Sequence, residues 1–599
     1  MSYRCDIDSL KGIAIIAVML FHLGLLDSGY LGVDLFFVIN GFLIVPSVCK
    51  SIADSSFSFG RFIWKRIVRL LPLITLASFV SLVLGYFLML PDDYENVAQT
   101  VVASNFFSEN ILSLITTNYW DVQTGYKPLM HLWYVGILFE FYIILPIALM
   151  IVVNIASGLS KDKMRSMFYV IVLLSVSSLI LYLLPLSSAS SKFYMLPFRF
   201  FELGLGGIVA LIAESRPGGG GENIFNVFTT ILLVSVIGCS LITLALGEYS
   251  SPALVIGMKK TVNNNMPISG ETALILTVVL TAIVIFFNDK GNILLQSKVL
   301  SWFGKLSYSI FIWHQVLLAF YRYSFSDKIT LSFVVGYIAV TMAVSILSYY
   351  LIEKHIKFSI RTCIVCSFAA FLVIIPAGYL YLHAGVVRDI PELDIVRGEE
   401  HRGQFAEYCD RVYQYKEYPK PNGKLNVLVV GVSFGRDFAN ILLESSYRDS
   451  INLVYGYTWD EIGLDKIVSL SDYIFSFSSP DALPTFVAEQ KKPDCKVIGI
   501  GTKNFGSCNG IIYKNRYKTN YFNQVAEIED DGYIQLNEQW GKAWGSNYID
   551  LLTPILVDKK HVRVFTDDNR YISQDCRHLT PAGAQFYARI LDWNEIFKR

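Results

Sequence analysis

Long apolar runs separated by short polar loops dominate the chain up to Leu382. A helix that crosses a bilayer needs about 20 mostly apolar residues. Eleven segments meet this requirement, centred on residues 10–26, 31–48, 70–90, 129–152, 167–186, 194–213, 225–247, 271–287, 301–320, 329–352 and 361–382. The pattern therefore predicts a polytopic α-helical membrane bundle, with ten spans in the main part and one extra.

The pattern changes after Leu382. Residues 384–424 are polar and contain Pro391, Pro419 and Pro421, which is typical of a linker or lid. From Leu425 onward short β-rich runs (425–431, 473–478 and 496–501) alternate with helix-like stretches near 436–446 and 583–596. Strands that alternate with helices predict an α/β layered domain over residues 425–599.

Composition supports the membrane interpretation. The chain is 53% hydrophobic and 17% charged, with a mean hydropathy of +0.46, which is too apolar for an ordinary soluble protein. Its formal net charge is +0, so nothing indicates a nucleic-acid partner. Asp6, Asp8 and Lys11 run directly into the first span, and we therefore expect no cleavable signal peptide.

Loop charges predict the orientation of the spans. Lys and Arg concentrate in alternate loops, as in the segment that holds Lys50, Arg61 and Lys65, while the loop after the third span is acidic. Because basic loops face the cytoplasm, we expect a cytoplasmic N-terminus. An odd number of spans then places the residues after Leu382 outside, in the periplasm or extracellular space of a bacterial inner-membrane protein.

Ionisable side chains inside spans are costly and therefore indicate function. His22 lies in the first span, Asp34 begins the second, and His131 begins the fourth. A histidine held by a carboxylate is the simplest general base for a hydroxyl acceptor, so these three residues are catalytic candidates. The alternative is that each histidine has a structural role and that Asp34 only caps a helix.

Two arginines, Arg66 and Arg69, lie at the inner end of the third span. Guanidinium groups match phosphate oxygens, so the pair could hold a nucleotide-bearing acyl donor from the cytoplasm. The alternative is that they only mark the cytoplasmic side.

Several motifs in the first 357 residues resemble those of the acyltransferase family 3 membrane fold. They are Lys11 and His22, GVDLFFVINGFLI (32–44), Arg66 with Arg69, PLMHLW (128–133), RFFELGLGG (199–207), LSYSIFIWH (306–314) and YYLIEK (349–354). The resemblance implies acyl transfer, usually from acetyl-CoA to envelope sugars. It also implies that His22 is the catalytic histidine and that Arg66 and Arg69 contact coenzyme A. Lys11 stands where the family usually has Arg, and we group it with the donor contacts. Residues 358–383 form the extra span.

The outer domain carries a candidate nucleophile. LNVLVVGVSFGRD (425–437) predicts a strand, a turn that exposes Ser433, and a helix, while Asp575 and His578 precede a later helix. This order suits a serine nucleophile with its base and resembles SGNH hydrolases, which implies a flavodoxin-like α/β/α fold. The family's Gly-Asp-Ser reads Gly431-Val432-Ser433 here, and Asn504 is the oxyanion candidate. The alternative is an inactive domain that binds glycan.

Cysteine usage adds one expectation. Cys409, Cys495, Cys508 and Cys576 lie in the outer part, where an oxidising compartment permits two disulfides in any of three pairings. No Cys-x-x-Cys pair occurs there, and we predict no metal site.

Together these features predict a membrane O-acyltransferase that moves acetyl from cytoplasmic acetyl-CoA to a hydroxyl of an envelope glycan or lipid-linked saccharide. Ser433 either carries the acyl group covalently, or the membrane half acylates the sugar directly while the outer domain binds it. The alternative function is a transporter or flippase with an accessory esterase, in which His22 and Asp34 form a proton relay.

Overall fold

A computed structural model of the chain describes residues 4–116, 124–156, 162–185, 187–214, 270–287, 294–326 and 328–598. Long apolar runs form most of the helices before residue 383, as expected when backbone groups must be satisfied within each span, and three shorter helices lie between them. These helices are α1 Cys5–His22, α2 Gly32–Ala53, α3 Phe59–Leu88, α4 Pro91–Asn105, α5 Glu109–Thr116, α6 Trp133–Ala156, α7 Lys163–Leu183, α8 Ala189–Tyr194, α9 Leu196–Glu214, α10 Gly270–Phe287, α11 Lys298–Ser324, α12 Leu331–Ser348 and α13 Ile360–Leu382.

The chain divides into two units. The first, the membrane unit, comprises Met1–Phe87, Asn96–Arg322 and Lys328–Tyr379. The second, the α/β unit, comprises Leu88–Glu95, Tyr323–Asp327 and Leu380–Arg599.

Eight helical segments in the described part of the chain are long and apolar enough to cross a membrane. They confirm the polytopic bundle. Two further long helices fall short of that apolar standard: α1 because of Asp6, Asp8 and Lys11, and α11 because polar residues are spread along it. The predicted span at 225–247 lies outside the described residues.

Glycines bring helices α1 and α11 into backbone contact. A Cβ atom built on Gly12 would lie 2.2 Å from the Leu300 carbonyl oxygen, and one on Gly304 would lie 1.7 Å from the Asp8 carbonyl oxygen. Helices α2 and α9 are also in backbone contact at a glycine, since a Cβ on Gly41 would lie 1.8 Å from the Leu203 carbonyl oxygen. Small residues at such crossings are typical of helix association in membranes.

The α/β unit is built on a parallel sheet of five strands in the order β2-β1-β3-β4-β6. A separate antiparallel pair joins β5 to β7. The strands are β1 Leu425–Val430, β2 Ile451–Gly456, β3 Tyr473–Ser476, β4 Lys496–Ile500, β5 Val525–Glu527, β6 Tyr548–Ile549 and β7 His561–Arg563. The strand order reverses beside β1, so the carboxyl ends of β1 and β3 form the place where doubly wound sheets bind ligands.

Helices cover both faces of this sheet. They are α14 Gln404–Asp410, α15 Ser433–Glu444, α16 Leu464–Leu470, α17 Thr485–Gln490, α18 Asn509–Tyr513, α19 Gly532–Trp544, α20 Pro581–Ile590 and α21 Trp593–Ile596. Val427 and Val429 pack with side chains of α15 and α20, whereas Leu428 and Val430 pack with those of α16 and α17. This alternation follows from the two-residue period of a strand. The predicted α/β domain with a parallel sheet is therefore present.

The segment 384–424 is packed into the α/β unit. Val412 is 0% exposed and belongs to the same core cluster as Val427, and the Tyr415 carbonyl accepts a hydrogen bond from the Tyr455 amide (2.9 Å). Ile390 clusters with Tyr513. Part of the predicted linker or lid thus completes the core of this unit.

The four outer cysteines are free thiols in the structure. Each is buried, and three have hydrogen-bond acceptors: Cys576 Sγ contacts Asn509 Oδ1 (3.3 Å), Cys508 Sγ contacts the Tyr323 carbonyl (3.5 Å), and Cys495 Sγ contacts the Lys496 carbonyl (3.9 Å). The structure therefore does not contain the two disulfides that the sequence led us to expect, because these thiols are used in packing and weak hydrogen bonds.

Replacing Gly304 with alanine should separate α1 from α11, because its Cβ would overlap the Asp8 carbonyl. We expect a loss of about 1–3 kcal/mol of stability, as for other overpacked sites. The measurement is the apparent thermal midpoint of the detergent-purified protein. Gly336→Ala on α12 is the matched control, since a Cβ there would meet nothing within 4 Å. Equal midpoints for the two variants would contradict the close packing.

Candidate functional site

Three histidines of the membrane unit lie side by side. His22 ends α1, His131 lies in the single turn before α6, and His314 lies within α11. The His314 ring centroid is 5.1 Å from that of His22 and 5.2 Å from that of His131. His314 therefore sits between the two histidines that the sequence had indicated.

The tautomer of His314 is fixed by its surroundings. Its Nδ1 lies 2.6 Å from the Phe311 carbonyl and 3.2 Å from the Ile310 carbonyl. Carbonyl oxygens only accept, so Nδ1 carries the hydrogen and Nε2 carries the lone pair. His314 is 0% exposed, and within the described ranges its Nε2 has no hydrogen-bond partner.

His131 has the same character. It is 3% exposed, and neither of its ring nitrogens makes a hydrogen bond of normal geometry among the described residues, although the backbone of Phe311 and Ile312 lies close to its ring. Buried polar atoms without partners are rare, and each calls for an explanation such as a ligand. The histidine cluster is therefore one polar centre within the bundle.

Contacts around His314 hold the cluster in place. The Tyr337 hydroxyl donates to the His314 carbonyl (2.9 Å), and the neighbouring Trp313 donates to Ser348 Oγ (2.7 Å). At the end of α1, Arg322 Nη2 donates to the His22 carbonyl (2.7 Å). These bonds fix the rotation of α11 and join it to α1.

Asp34 does not pair with a histidine as the sequence suggested. Its Oδ1 forms an ion pair with Arg199 Nη1 (2.8 Å), and the same nitrogen contacts Glu202 Oε1 (2.9 Å). All three residues are buried. A guanidinium on the adjacent helix α9 is a charged donor, which makes it a stronger partner for a buried carboxylate than a neutral imidazole.

A basic cluster lies near the other end of α1. Lys11 forms an ion pair with Asp8 (3.3 Å), and its ammonium group interacts electrostatically with the positive charge of Arg69. Arg66 also feels the charge of Arg69, and it stacks on the rings of Phe62 (4.4 Å) and Tyr142 (5.6 Å). The structure thus brings together the three residues that the sequence grouped as donor contacts.

Glu140 on α6 accepts a hydrogen bond from Asn110 (2.7 Å). It is not part of the Asp34–Arg199–Glu202 ion-pair group.

In the α/β unit, Ser433 is the first residue of α15, directly after the turn that follows β1. Gly431 in that turn has φ +151, and a Cβ on it would lie 2.7 Å from the Phe477 Cβ. Glycine is therefore required for this sharp entry into the helix. Ser433 lies at the carboxyl end of β1, at the point where the strand order reverses.

Asp575 and His578 form a second element of this site. His578 Nδ1 lies 2.5 Å from Asp575 Oδ2, and the amides of His578 and Arg577 donate to Asp575 Oδ1. Burial alone would raise the pKa of Asp575, but the charge and hydrogen bonds of His578, aided by these amides, lower it to about 2. An ionised Asp575 accepts the Nδ1 hydrogen and leaves the lone pair on Nε2.

The helix of Ser433 is tied to this histidine segment. Asp437, one turn after Ser433, accepts a hydrogen bond at Oδ2 from the Leu579 amide (3.1 Å). Asn504, the oxyanion candidate, is fully buried, and its Oδ1 accepts from the amides of Gly506 (2.9 Å) and Glu529 (3.2 Å).

Sequence reasoning missed His314, Arg199 and Glu202. All three are ionisable residues within helices of the membrane bundle, and they lie in motifs that were quoted for the family resemblance. The rule that an intramembrane ionisable residue is a functional candidate would have found them had it been applied to every span.

Comparisons with known proteins find relatives named for acyl transfer. Over 372 residues the chain is 26% identical to a protein of Staphylococcus aureus (strain MSSA476) named "Putative O-acetyltransferase", covering 60% of this chain and 58% of the relative. It is 25% identical over 353 residues to the "Putative membrane-bound transacylase BcsY" of Komagataeibacter xylinus, covering 59% of this chain and 82% of the relative.

A third relative is the "Putative peptidoglycan O-acetyltransferase YrhL" of Bacillus subtilis (strain 168). It is 28% identical over 364 residues, which cover 59% of this chain and 55% of the relative. The chain thus spans less than two thirds of the Staphylococcus and Bacillus relatives. No solved structure matches.

The acyltransferase 3 family, described as an acyltransferase domain, matches residues 6–350, which are more than half of the chain and include all three histidines and the basic cluster. On that match and its geometry, the chain is a multi-pass membrane protein that belongs to the acyltransferase family 3.

Proposed function

We propose that this protein is a membrane O-acyltransferase that moves an acetyl group from cytoplasmic acetyl-CoA to a hydroxyl of an envelope sugar. The observation that carries the proposal is the histidine cluster, in which His314 lies between His22 and His131 and its buried Nε2 has no hydrogen-bond partner among the described residues. Membership of an acyltransferase family and relatives named for O-acetyl transfer support the same chemistry.

The donor is proposed to bind with its phosphates at Lys11, Arg66 and Arg69. Arginine forks match phosphate oxygens, and the ring beneath Arg66 holds its guanidinium in a fixed plane. Lys11 and His22 lie on the same helix, about 16 Å apart at 1.5 Å per residue. An extended pantetheine arm can cover that separation and deliver the thioester to the histidines.

The histidine cluster then serves as general base. A neutral imidazole Nε2 takes the proton of the acceptor hydroxyl as its oxygen attacks the thioester carbonyl carbon. The new C–O bond forms, the C–S bond breaks, and the thiolate leaves with the proton that the imidazole had accepted. The fixed tautomer makes His314 the defined lone-pair donor, and His22 and His131 flank it.

The acceptor is proposed to be an envelope glycan or a lipid-linked saccharide, because one relative is named for peptidoglycan O-acetylation. The α/β unit, which we infer to be SGNH-like, lies outside the cytoplasm in a bacterial inner-membrane protein. In this proposal Ser433, with His578 and Asp575, accepts an acyl group there and passes it to sugar.

A transporter or flippase with an accessory esterase is the alternative. Its proposed relay of His22 and Asp34 receives no support from the ion pair that joins Asp34 to Arg199. A carrier of this kind also has no need for coenzyme A.

Replacing Arg66 and Arg69 together with alanine should weaken coenzyme A binding by about tenfold or more, because each charged hydrogen bond contributes about 1.5–3 kcal/mol. Lysines at both positions should rescue binding only partly. The measurement is calorimetric titration of the detergent-purified protein with coenzyme A. Arg61→Ala, an exposed arginine on the same helix α3, is the matched control. Undiminished binding by the double variant would favour the carrier.

His22→Ala and His314→Ala should each lower acyl transfer by about 10²–10⁴-fold, the usual contribution of a general base. The double variant should lose little more than either single one, since residues that act as a unit are not additive. Mass spectrometry of envelope glycans and acetyl-CoA turnover in membranes measure the effect. His355→Ala, an exposed histidine, is the control. Normal acylation by either variant would remove that histidine from the reaction.

Ser433 should react with a membrane-impermeant fluorophosphonate in spheroplasts. It is the first residue of α15, and in our proposal its hydroxyl faces the outside of the cell. Ser433→Ala and His578→Ala should abolish the label, and the exposed serine variant Ser469→Ala should keep it. Labelling only after lysis would reverse the orientation. If the lysed protein is not labelled either, the α/β unit is a binding module.

A further inference from the structure

A buried ion pair lies beneath the proposed Ser433 site. Lys503 Nζ is 2.7 Å from Asp437 Oδ2, and the two side chains are 0% and 1% exposed. Lys503 follows β4, in the loop that also carries Asn504. The Lys503 ammonium also lies 3.8 Å from the ring centroid of Phe434, the residue next to Ser433.

Asp437 joins three parts of the chain at this point. It lies on the helix of Ser433, pairs with Lys503 from the loop after β4, and accepts the Leu579 amide next to His578. A second bond between the same segments is donated by the Phe505 amide to the Cys576 carbonyl (2.9 Å). Asp437 therefore connects the segment that carries Ser433, the segment that carries His578 and the loop after β4.

Stability alone does not account for this pair. Removing two charges from water costs several kcal/mol per ion, and an apolar pair of similar volume is often equally stable or more so. Burial lowers the pKa of the Lys503 ammonium, while Asp437 and Asp575 oppose that effect. Lys503 is the cationic partner in the 2.7 Å ion pair with Asp437.

We propose that Lys503 is a positioning residue of the Ser433–His578–Asp575 site. Its ammonium holds the Asp437 carboxylate where that group fixes the backbone beside His578, and its positive charge favours the neutral, proton-accepting form of His578. This inference rests on the proposed role of Ser433.

Other charged groups lie in the same part of the α/β unit as His578 and also contribute to its electrostatic environment. They come from α15, from its own segment, from the segment around Glu529 and from Leu88–Glu95, all within the α/β unit. The charged or titratable members are Asp575, Cys576, Arg577, Arg436, Asp437, Cys409, Glu529, Asp92 and Asp93. Since their charges remain in a Lys503 variant, the change isolates the ammonium.

The test is the pH dependence of Ser433 labelling by a fluorophosphonate in the full-length, detergent-purified protein. In this reaction the serine oxygen bonds to phosphorus, fluoride leaves, and the serine proton passes to His578. The rate should fall at low pH as His578 becomes protonated. Mass spectrometry locates the label at Ser433, and the rate is measured at each pH.

In the plot of labelling rate against pH, Lys503→Met should move the low-pH limb to higher pH by about half a unit or more, because loss of a nearby cation favours the imidazolium. Asp437→Asn keeps an acceptor for the Leu579 amide and removes the anion, so its limb should move to lower pH. The double variant, in which both charges are gone, should return close to the parent. Lys503→Arg should keep the limb of the parent.

Opposite shifts for the two single variants identify an electrostatic role, since a purely structural effect would lower the labelled fraction without moving the limb. If Lys503→Met fails to fold, Asp437→Asn and the uncharged double variant still provide the comparison. Lys492→Met, which removes an exposed ion pair with Asp472, is the control. If the parent protein is labelled and the variants have the same low-pH limb as the parent, the role of Lys503 alone is overturned. If the parent protein is not labelled, the role of Ser433 is overturned as well.

Discussion

The close contact between α1 and α11 is the constraint on which the membrane site depends. Gly12 and Gly304 allow the two backbones to touch, and His22 and His314 each lie ten residues further along their helices. Two helices that run side by side with equal spacing from a fixed crossing must bring those side chains to the same level. The apposition of the histidines is thus a consequence of two missing Cβ atoms.

The two proposed sites treat buried charge in related ways. In the membrane unit Arg199 joins Asp34 and Glu202, and in the α/β unit Lys503 joins Asp437. Each cation binds a carboxylate on a neighbouring segment, so each pair fixes the distance between elements that are far apart in sequence. Neither cation lies among the residues proposed to exchange protons.

Much of the fold could be predicted from the sequence, because hydrophobic length and strand periodicity are local properties. The strands at 425–430, 473–476 and 496–500 lie where the pattern placed them, and eight of the expected spans are present. Four strands were missed: Ile451–Gly456, Val525–Glu527, Tyr548–Ile549 and His561–Arg563. The last three are two or three residues long, too short to show a two-residue period.

The sites were less predictable, because pairing is decided by which helices become neighbours. Nothing local to Asp34 indicates that Arg199, 165 residues later, will be its partner instead of a histidine. The position of His314 between His22 and His131 also depends on the glycine crossing, which single-residue reasoning does not reveal. Sequence motifs identified the chemistry, and tertiary packing decided which residues share it.

The composition of the α/β unit also has a consequence for biogenesis. This unit includes Leu88–Glu95 and Tyr323–Asp327, and Leu90 packs in one cluster with Ile390, Tyr513 and Phe565. During synthesis the ribosome makes Leu90 long before the residues it packs against. That early loop must therefore wait, without these partners, until the chain has been translated past Phe565. The α/β unit thus completes a loop that is made before most of the spans, so insertion of the spans and folding of this unit are ordered in time.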